Sequence, residues 1–236
     1  MHLQQGGAAA TLNPKTPDEF QKELEDYIQK QKLDRFYPPS VVQDSPIRKL
    51  ALKAAQRLAE SKPILVGAEL AQSVNPFRAD EAPKPGRYYA DMCKTALYKT
   101  VLLIDDSASM KDDGRNEILK GALEKVAELN CTIDEEGLSM RFLNYPRRKE
   151  HQIPWGLDSI QDVLKMRAIL DTNLWKGGTE LGGMLLEKVL EPLLFEKVRQ
   201  NQLNKPILIS IITDGEVCCP YNLTFFPMEI LNVRKA

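Results

Sequence analysis

The chain has 236 residues, of which 43% are hydrophobic and 28% are charged. This composition is typical of a globular protein with enough apolar material for one or two domains. Its formal net charge of -1 gives no basic excess that would favour nucleic-acid binding, and no apolar run reaches the roughly 20 residues that a membrane span needs.

Cysteine and histidine usage narrows the chemistry further. The four cysteines lack the spacing of zinc ligands, and the adjacent pair Cys218 and Cys219 is unfavourable for a mutual bridge. The first residues lack the charged and apolar regions of a signal peptide. We therefore predict a reduced, cytoplasmic protein without a nucleic-acid or membrane partner. With only two histidines, His2 and His151, a Ser–His–Asp hydrolase has few possible bases.

The N-terminal part is predicted to be a disordered tail, residues 1–15, followed by a helical region, residues 16–96. The tail is rich in Gly, Ala and Gln without periodicity. The first helix should begin with Thr16 as its cap, Pro17 at its first position and Glu19 closing a capping box, and it should run to about Lys32.

A second helix is predicted from Ser45-Pro46 to about residue 61, with an apolar stripe that begins at Ile47. The two helices are expected to form a hairpin that packs on the domain that follows. Residues 63–87 contain four prolines and indicate a connector, with one helical turn around 68–72. A short helix over 88–96 should lead into the first strand.

Residues 97–236 are predicted to form an α/β domain. The run Val101-Leu102-Leu103-Ile104 is continuously apolar, which indicates a strand buried on both faces of a parallel sheet. Strands and helices then alternate, which favours right-handed crossovers and a mostly parallel sheet. The predicted elements are strands over 98–105, 138–143, 150–154 and 207–212, and helices over 115–130, 158–170 and 179–200, the last kinked at Pro192.

Polar residues follow the first of these strands at alternate positions. Asp105, Ser107 and Ser109 stand at its carboxyl end, where open α/β sheets bind their ligands. Three oxygen ligands with little negative charge suit a hard cation such as Mg²⁺. The motif alone is equally compatible with a strand end followed by a polar helix cap.

Two later segments extend this pattern. Gly177-Gly178-Thr179 precedes a helical stretch, and the apolar strand over 207–212 ends in Thr213-Asp214-Gly215. In this order the three motifs resemble the von Willebrand factor A (vWA) domain with its metal-ion-dependent adhesion site, over residues 97–216. The resemblance implies a doubly wound, mostly parallel, Rossmann-like sheet.

The resemblance also assigns expected roles by motif match. Ser107, Ser109 and Thr179 would bind Mg²⁺ or Mn²⁺ directly, whereas Asp105 and Asp214 would act mostly through bound water. Neutral hydroxyl ligands leave most of the charge of the ion uncompensated, and the acids orient waters and hydroxyls around it. The expected function is metal-dependent binding of an Asp or Glu carboxylate on a partner protein, without catalysis.

Three neighbouring residues are expected to support this site. Asp106 should point to solvent or to a backbone donor. Gly178 should let its loop approach the metal without a Cβ clash. Glu180 is either a supporting group around the site or an acid placed at a helix start, which is the more ordinary role.

Residues 216–236 depart from the family, which continues with further helices and strands. Without those elements, the strand over 207–212 would be an apolar edge prone to aggregation. We therefore expect a vWA form that is incomplete at its C-terminal edge, or alternatively a makeshift edge strand over 222–226.

Two alternative functions stay open. A Mg²⁺-dependent phosphotransfer enzyme or receiver also uses acids at strand ends. However, haloacid-dehalogenase-like enzymes need an Asp where Ser107 stands, and Leu143-Asn144 offers no phospho-accepting Asp for a receiver. The other alternative is a truncated vWA form that binds nothing.

Overall fold

A computed structural model of the chain describes residues 13–39, 45–60, 85–145, 157–173 and 175–214. The chain divides into two compact units, the first Met1–Tyr98 with Thr132–Glu135, and the second Lys99–Cys131 with Glu136–Ala236. Several predicted features lie outside the described residues: most of the N-terminal tail and of the connector, the helical turn around 68–72, the strands over 150–154 and 222–226, and the rest of the C-terminal segment.

The first unit has three helices within the described residues: α1 over Pro17–Lys30, α2 over Pro46–Glu60 and α3 over Pro85–Ala96. α1 begins as predicted, because the Thr16 hydroxyl accepts from Glu19 N at 3.3 Å and the Glu19 carboxylate accepts from Thr16 N at 3.0 Å. This capping box satisfies backbone donors that a helix start leaves unpaired.

α1 and α2 pack against each other, as predicted for a hairpin, and α3 completes their core. Two charged residues, Glu23 and Lys94, are buried with them. Glu23 Oε1 accepts from Lys94 Nζ and from Arg87 Nη1, both at 2.7 Å. The apolar core side chains recur every three to four residues on each helix. They include Phe20, Leu24 and Ile28 on α1, Ile47, Ala51 and Ala54 on α2, and Tyr89, Ala90 and Cys93 on α3.

The second unit contains a parallel sheet of three strands among the described residues. They are β1 over Lys99–Ile104, β2 over Ser139–Phe142 and β3 over Ile207–Ile212, in the order β2-β1-β3. Ile104 at the end of β1 pairs with Ile212 at the end of β3. The strand before Asp105 and the strand before Asp214 are therefore neighbours, and their carboxyl ends lie side by side.

Three helices accompany this sheet in the part of the unit that the structure describes. In the described part of the chain, no helix is both long enough and apolar enough to cross a membrane. Pro192 lies in a π-helical stretch of the last helix, at the place where the sequence predicts an irregularity. The helices are α4 over Arg115–Ile133, α5 over Val163–Thr172, and α6, which is α-helical over Leu181–Leu185, π-helical over Leu186–Phe195 and α-helical again over Glu196–Arg199.

Alternate side chains of β1 point into two different apolar clusters. Leu102 and Ile104 lie in a cluster with buried residues of α4 and α5, whereas Val101 and Leu103 lie in a cluster with buried residues of α6. The strand is therefore buried on both faces, as its continuous apolar run predicts. Together with the parallel pairing, this gives the unit a mixed α/β fold.

The start of α5 corrects the prediction. The sequence predicts a helix from Asp158, but Ile160 pairs antiparallel with Leu138 and so keeps this stretch extended. The helix begins only after Asp162, whose side chain accepts from Leu164 N at 2.8 Å and caps it. A single long-range bridge thus moves the helix start by about one turn.

The apolar residues of α4 are not all buried. Its buried side chains include Leu119, Leu123, Ala127 and Ile133, whereas Ile118 is 72% exposed. Both Ile118 and Leu119 fit a helical apolar pattern, so periodicity alone does not decide which of them faces the sheet.

β3 is paired on one side only within the described residues, where its neighbour is β1. Two of its apolar side chains, Leu208 and Ile211, are 36% and 41% exposed. The aggregation expected of this edge remains a prediction.

Candidate metal centre

The backbone brings the end of β1 against the end of β3. Asp105 follows β1, and its N–H donates to the carbonyl of Ile212 at 2.9 Å, which extends the strand pairing by one residue. The parallel register places Thr213 beside Asp105. Residues that are about a hundred positions apart in the sequence therefore lie side by side at this site.

The Asp105 carboxylate is the centre of the hydrogen bonding. It is 1% exposed, and its Oδ1 accepts from Ser107 N at 2.9 Å. Its Oδ2 accepts from the Thr179 hydroxyl at 3.3 Å and from the Thr213 hydroxyl at 2.8 Å. One buried acid therefore connects three segments: the loop over 107–109 (the serine loop), the loop over 177–179 (the glycine loop) and the end of β3.

These hydrogen bonds fix how the threonine oxygens can act. The Thr179 and Thr213 hydroxyls donate their hydrogens to Asp105, and a hydroxyl group that donates its hydrogen can also accept or coordinate through its oxygen. Such an oxygen is a suitable donor to a cation. Thr213 is not among the residues that the resemblance assigns to the metal, and the register of β1 with β3 is the signal that would have assigned it to the site.

Ser107 and Ser109 are placed as a pair. Their Oγ atoms lie 3.0 Å apart, Ser107 is 2% exposed and Ser109 is partly exposed. Adjacent ligands of an octahedral Mg²⁺ with bonds of about 2.0–2.1 Å are about 2.9–3.0 Å apart. The spacing of the two hydroxyls and the all-oxygen donor set therefore fit Mg²⁺ or Mn²⁺.

The Ser107 hydroxyl does not cap a helix, which was the alternative role for this motif. Ser107 precedes a short 3-10 segment, Ala108–Gly114, but its side chain makes no capping hydrogen bond to that segment. Its Oγ instead meets that of Ser109. The Ser107 hydroxyl is thus hydrogen-bonded to Ser109 rather than to a backbone donor of the helical segment.

Asp214 meets a cation that the sequence did not suggest. Its carboxylate Oδ2 lies 3.1 Å from Nη1 of Arg115, at the start of α4, and the Asp214 side chain is only 4% exposed. The other arm of the same guanidinium, Nη2, lies 3.5 Å from the Asp113 carboxylate. The acid that the resemblance assigns to a water-mediated role is thus ion-paired in this structure.

Asp106 turns away from the hydroxyls and meets a backbone donor. Its Oδ1 accepts from Asn144 N at 2.7 Å and from Asn144 Nδ2 at 3.1 Å. Burial raises the pKa of the Asp106 carboxyl, and the hydrogen bonds from Asn144 and the charge of Lys188 oppose this rise. Solvent, the other expected direction, is not where it points, because the residue is 1% exposed.

The loop after β2 is fixed from two sides. Asn144 Nδ2 also donates to the Gly178 carbonyl at 2.9 Å, which links this loop to the glycine loop. Lys188 Nζ donates to the carbonyls of Phe142, Leu143 and Tyr145 at 2.7, 2.9 and 3.3 Å. Burial lowers the pKa of Lys188, and the charge of Asp106 opposes this. Neither Asn144 nor Lys188 was identified from the sequence.

The glycine loop approaches the serine loop through its backbone. Gly177 has a φ of 116°, which L side chains rarely adopt, and its carbonyl accepts from Ala108 N at 3.2 Å. Gly178 contributes its carbonyl to Asn144. Glu180 is exposed and precedes α6 without a side-chain capping bond, so the choice between a helix-start role and a supporting role stays a prediction.

The donor set is made mainly of hydroxyls rather than of clustered acids. Within the described ranges, no group of three or more His, Cys, Asp or Glu side chains is placed to hold a metal ion. Comparison of the chain with protein families, with curated proteins and with solved structures found no match. The chemistry of this site is therefore argued from its own contacts.

Proposed function

We propose that the second unit is a vWA-like domain with a doubly wound, mostly parallel sheet, and that it binds an Asp or Glu side chain of a partner protein through Mg²⁺ or Mn²⁺. The observation that supports this most is the convergence of three separate segments on the Asp105 carboxylate. Those segments are the ones that the DxSxS, glycine–threonine and TDG motifs single out.

In this proposal the residues divide the work by charge. The hydroxyls of Ser107, Ser109 and Thr179 would hold the ion, while Asp105 orients the Thr179 hydroxyl and, with Asp214, would hold water around it. A bound ion would supply an electrophilic position for a carboxylate. The negative charges of Asp106 and Asp214 are partly offset by Lys188 and Arg115, which favours an anionic partner.

The phosphotransfer alternative has less support. A phospho-accepting or nucleophilic aspartate needs a carboxylate oxygen that is available to the substrate. Both oxygens of Asp105 already accept hydrogen bonds, and Asp106 is buried against Asn144. A non-binding form of the same fold is the second alternative. A peptide-binding assay and a phosphatase assay together separate all three.

The experiment is a peptide-array assay with the full chain. Terminally blocked peptides containing Asp or Glu are compared with matched Asn or Gln peptides, in millimolar Mg²⁺ and in chelator. We expect binding only to acidic peptides and only with metal, and loss of binding in the double variant Ser107→Ala with Ser109→Ala. The control double variant Thr95→Ala with Thr172→Ala removes two helix hydroxyls that donate to backbone carbonyls and should bind like wild type.

Two results would contradict the proposal. Equal peptide binding in metal and in chelator would show that binding does not depend on a metal ion. Hydrolysis of p-nitrophenyl phosphate that disappears in Ser107→Ala with Ser109→Ala would favour the phosphotransfer alternative instead.

A further inference from the structure

We infer that Arg115 is a built-in counter-cation that competes with the divalent ion for Asp214, and so sets the metal affinity of the site. This inference rests on the proposed metal-binding function. It concerns a residue outside the three motifs, which sequence reasoning did not connect with the site.

The ion pair between Arg115 and Asp214 is short and its carboxylate is buried. Arg115 Nη1 lies 3.1 Å from Asp214 Oδ2, and the Asp214 side chain is 4% exposed while that of Arg115 is 37% exposed. A charge-assisted hydrogen bond to a carboxylate so far removed from water is stronger than a typical surface pair. The guanidinium is at the same time accessible enough to leave without disrupting a core.

The position of Arg115 is not explained by helix preference. It is the first residue of α4, and the positive end of the helix macrodipole disfavours a cation there. Acidic side chains are the residues that stabilise such a position. The carboxylates of Asp113 and Asp214 are the contacts that offset this disadvantage.

Competition makes a prediction that a purely structural ion pair does not. When two cations share one carboxylate, each weakens the binding of the other. Removal of the guanidinium should therefore strengthen metal binding. A role in folding alone would give the opposite pattern, in which loss of the pair loosens the site and weakens metal binding. The sign of the change in affinity therefore separates the two roles.

The test is a Mn²⁺ titration by isothermal calorimetry of the wild type, Arg115→Gln and Arg167→Gln. Arg167 pairs with Glu124 on the surface of the same unit at 2.7 Å, so its substitution controls for the loss of one positive charge. We expect the Kd for Mn²⁺ to fall by about fivefold or more in Arg115→Gln and to stay within about twofold of wild type in Arg167→Gln.

The outcomes distinguish the inference from the function on which it rests. If the wild type binds Mn²⁺ and Arg115→Gln binds it equally or more weakly, the inference is wrong and the proposed function stands. If neither protein binds Mn²⁺, the proposed function fails and the inference fails with it.

A second measurement needs no variant and so does not depend on how Arg115→Gln folds. In ¹⁵N-labelled wild-type protein, saturation with diamagnetic Mg²⁺ should shift or broaden the guanidinium signal of Arg115 as its carboxylate partner is shared. The signal of Arg167 should stay unchanged. An Arg115 signal that does not respond while backbone signals of Ser107 and Ser109 do respond would overturn the inference.

Discussion

The hydroxyl of Thr213 donates to the Asp105 carboxylate at 2.8 Å although 108 positions separate the two residues in sequence. This contact is a consequence of the parallel pairing of β1 with β3, because the register that aligns Ile104 with Ile212 sets the next two residues side by side. The sheet thereby places a hydroxyl donor and a buried acceptor together before any ligand is considered.

Asp105→Asn should destabilise the protein even without metal. The amide keeps one acceptor oxygen and turns an N–H₂ group toward one of the present donors, so buried hydrogen bonds are lost at a cost of about 2–4 kcal/mol. Urea unfolding in chelator measures this. Asp171→Asn is the matched control, because the exposed Asp171 pairs with Lys120 at 2.9 Å and should cost less than about 1 kcal/mol. Equal stability of the two variants would contradict the central role given to Asp105.

Glu23→Gln should destabilise the helical unit strongly. Glu23 is 6% exposed and pairs at 2.7 Å with both Arg87 and Lys94, and the Lys94 side chain is 11% exposed. Removal of the shared acid leaves the poorly solvated ammonium with the exposed Asp91 carboxylate, at 3.0 Å, as its acidic partner, and the expected loss is about 2 kcal/mol.

The control for this prediction is Glu60→Gln, which breaks an exposed pair with Arg57 at 3.3 Å on α2. It should cost less than about 0.5 kcal/mol. Chemical denaturation followed by circular dichroism compares the two, and a Glu23→Gln protein as stable as Glu60→Gln would show that the buried cluster contributes nothing.

The corrected start of α5 can be tested through its cap. Asp162→Ala removes the acceptor for Leu164 N and should cost about 1 kcal/mol. Ser159→Ala, at the predicted start of the helix over 158–170, should cost less than about 0.5 kcal/mol. Urea unfolding measures both losses. A larger loss in Ser159→Ala than in Asp162→Ala would favour the predicted helix start at residue 158.

Cys93 should be unreactive in the folded protein. Burial raises the pKa of its thiol to about 12, from 9.0, and only the thiolate is nucleophilic. Because the unfolded chain ionises this thiol near pH 9 and the folded chain does not, the free energy of unfolding should fall as pH rises from about 9 toward 12.

Alkylation by iodoacetamide at pH 9, read from the peptide that contains Cys93, checks this. We expect slow labelling in buffer and rapid labelling in urea. Equal rates in the two conditions would mean that the thiol is not protected by the α1–α3 core.

Local signals predicted much of the fold. Four consecutive residues that begin at Thr16 specify the capping box. The uninterrupted apolar run of β1 indicates a strand that is buried on both faces. What the sequence missed depends on distant contacts. The start of α5 is displaced by the bridge between Leu138 and Ile160, and the face of α4 that meets the sheet is selected by packing rather than by periodicity.

The site divides in the same way. The motifs brought Asp105, Ser107 and Thr179 into one prediction, and these residues do lie together. Arg115 and Lys188 have no local signature, because their roles come from partners 99 and 46 positions away in Asp214 and Phe142. A charged residue in an amphipathic helix gives no sign of which distant oxygen it will meet.

The most direct test of the metal site is thermal unfolding of the full chain in chelator and in excess Mg²⁺ or Mn²⁺. At about 100 times its Kd, the ion should stabilise the wild type by about 2.7 kcal/mol, which corresponds to an increase in Tm of about 5–10 °C. The increase should vanish in Ser107→Ala with Ser109→Ala and persist in Thr95→Ala with Thr172→Ala. A wild-type Tm that is the same in chelator and in millimolar metal would contradict the account.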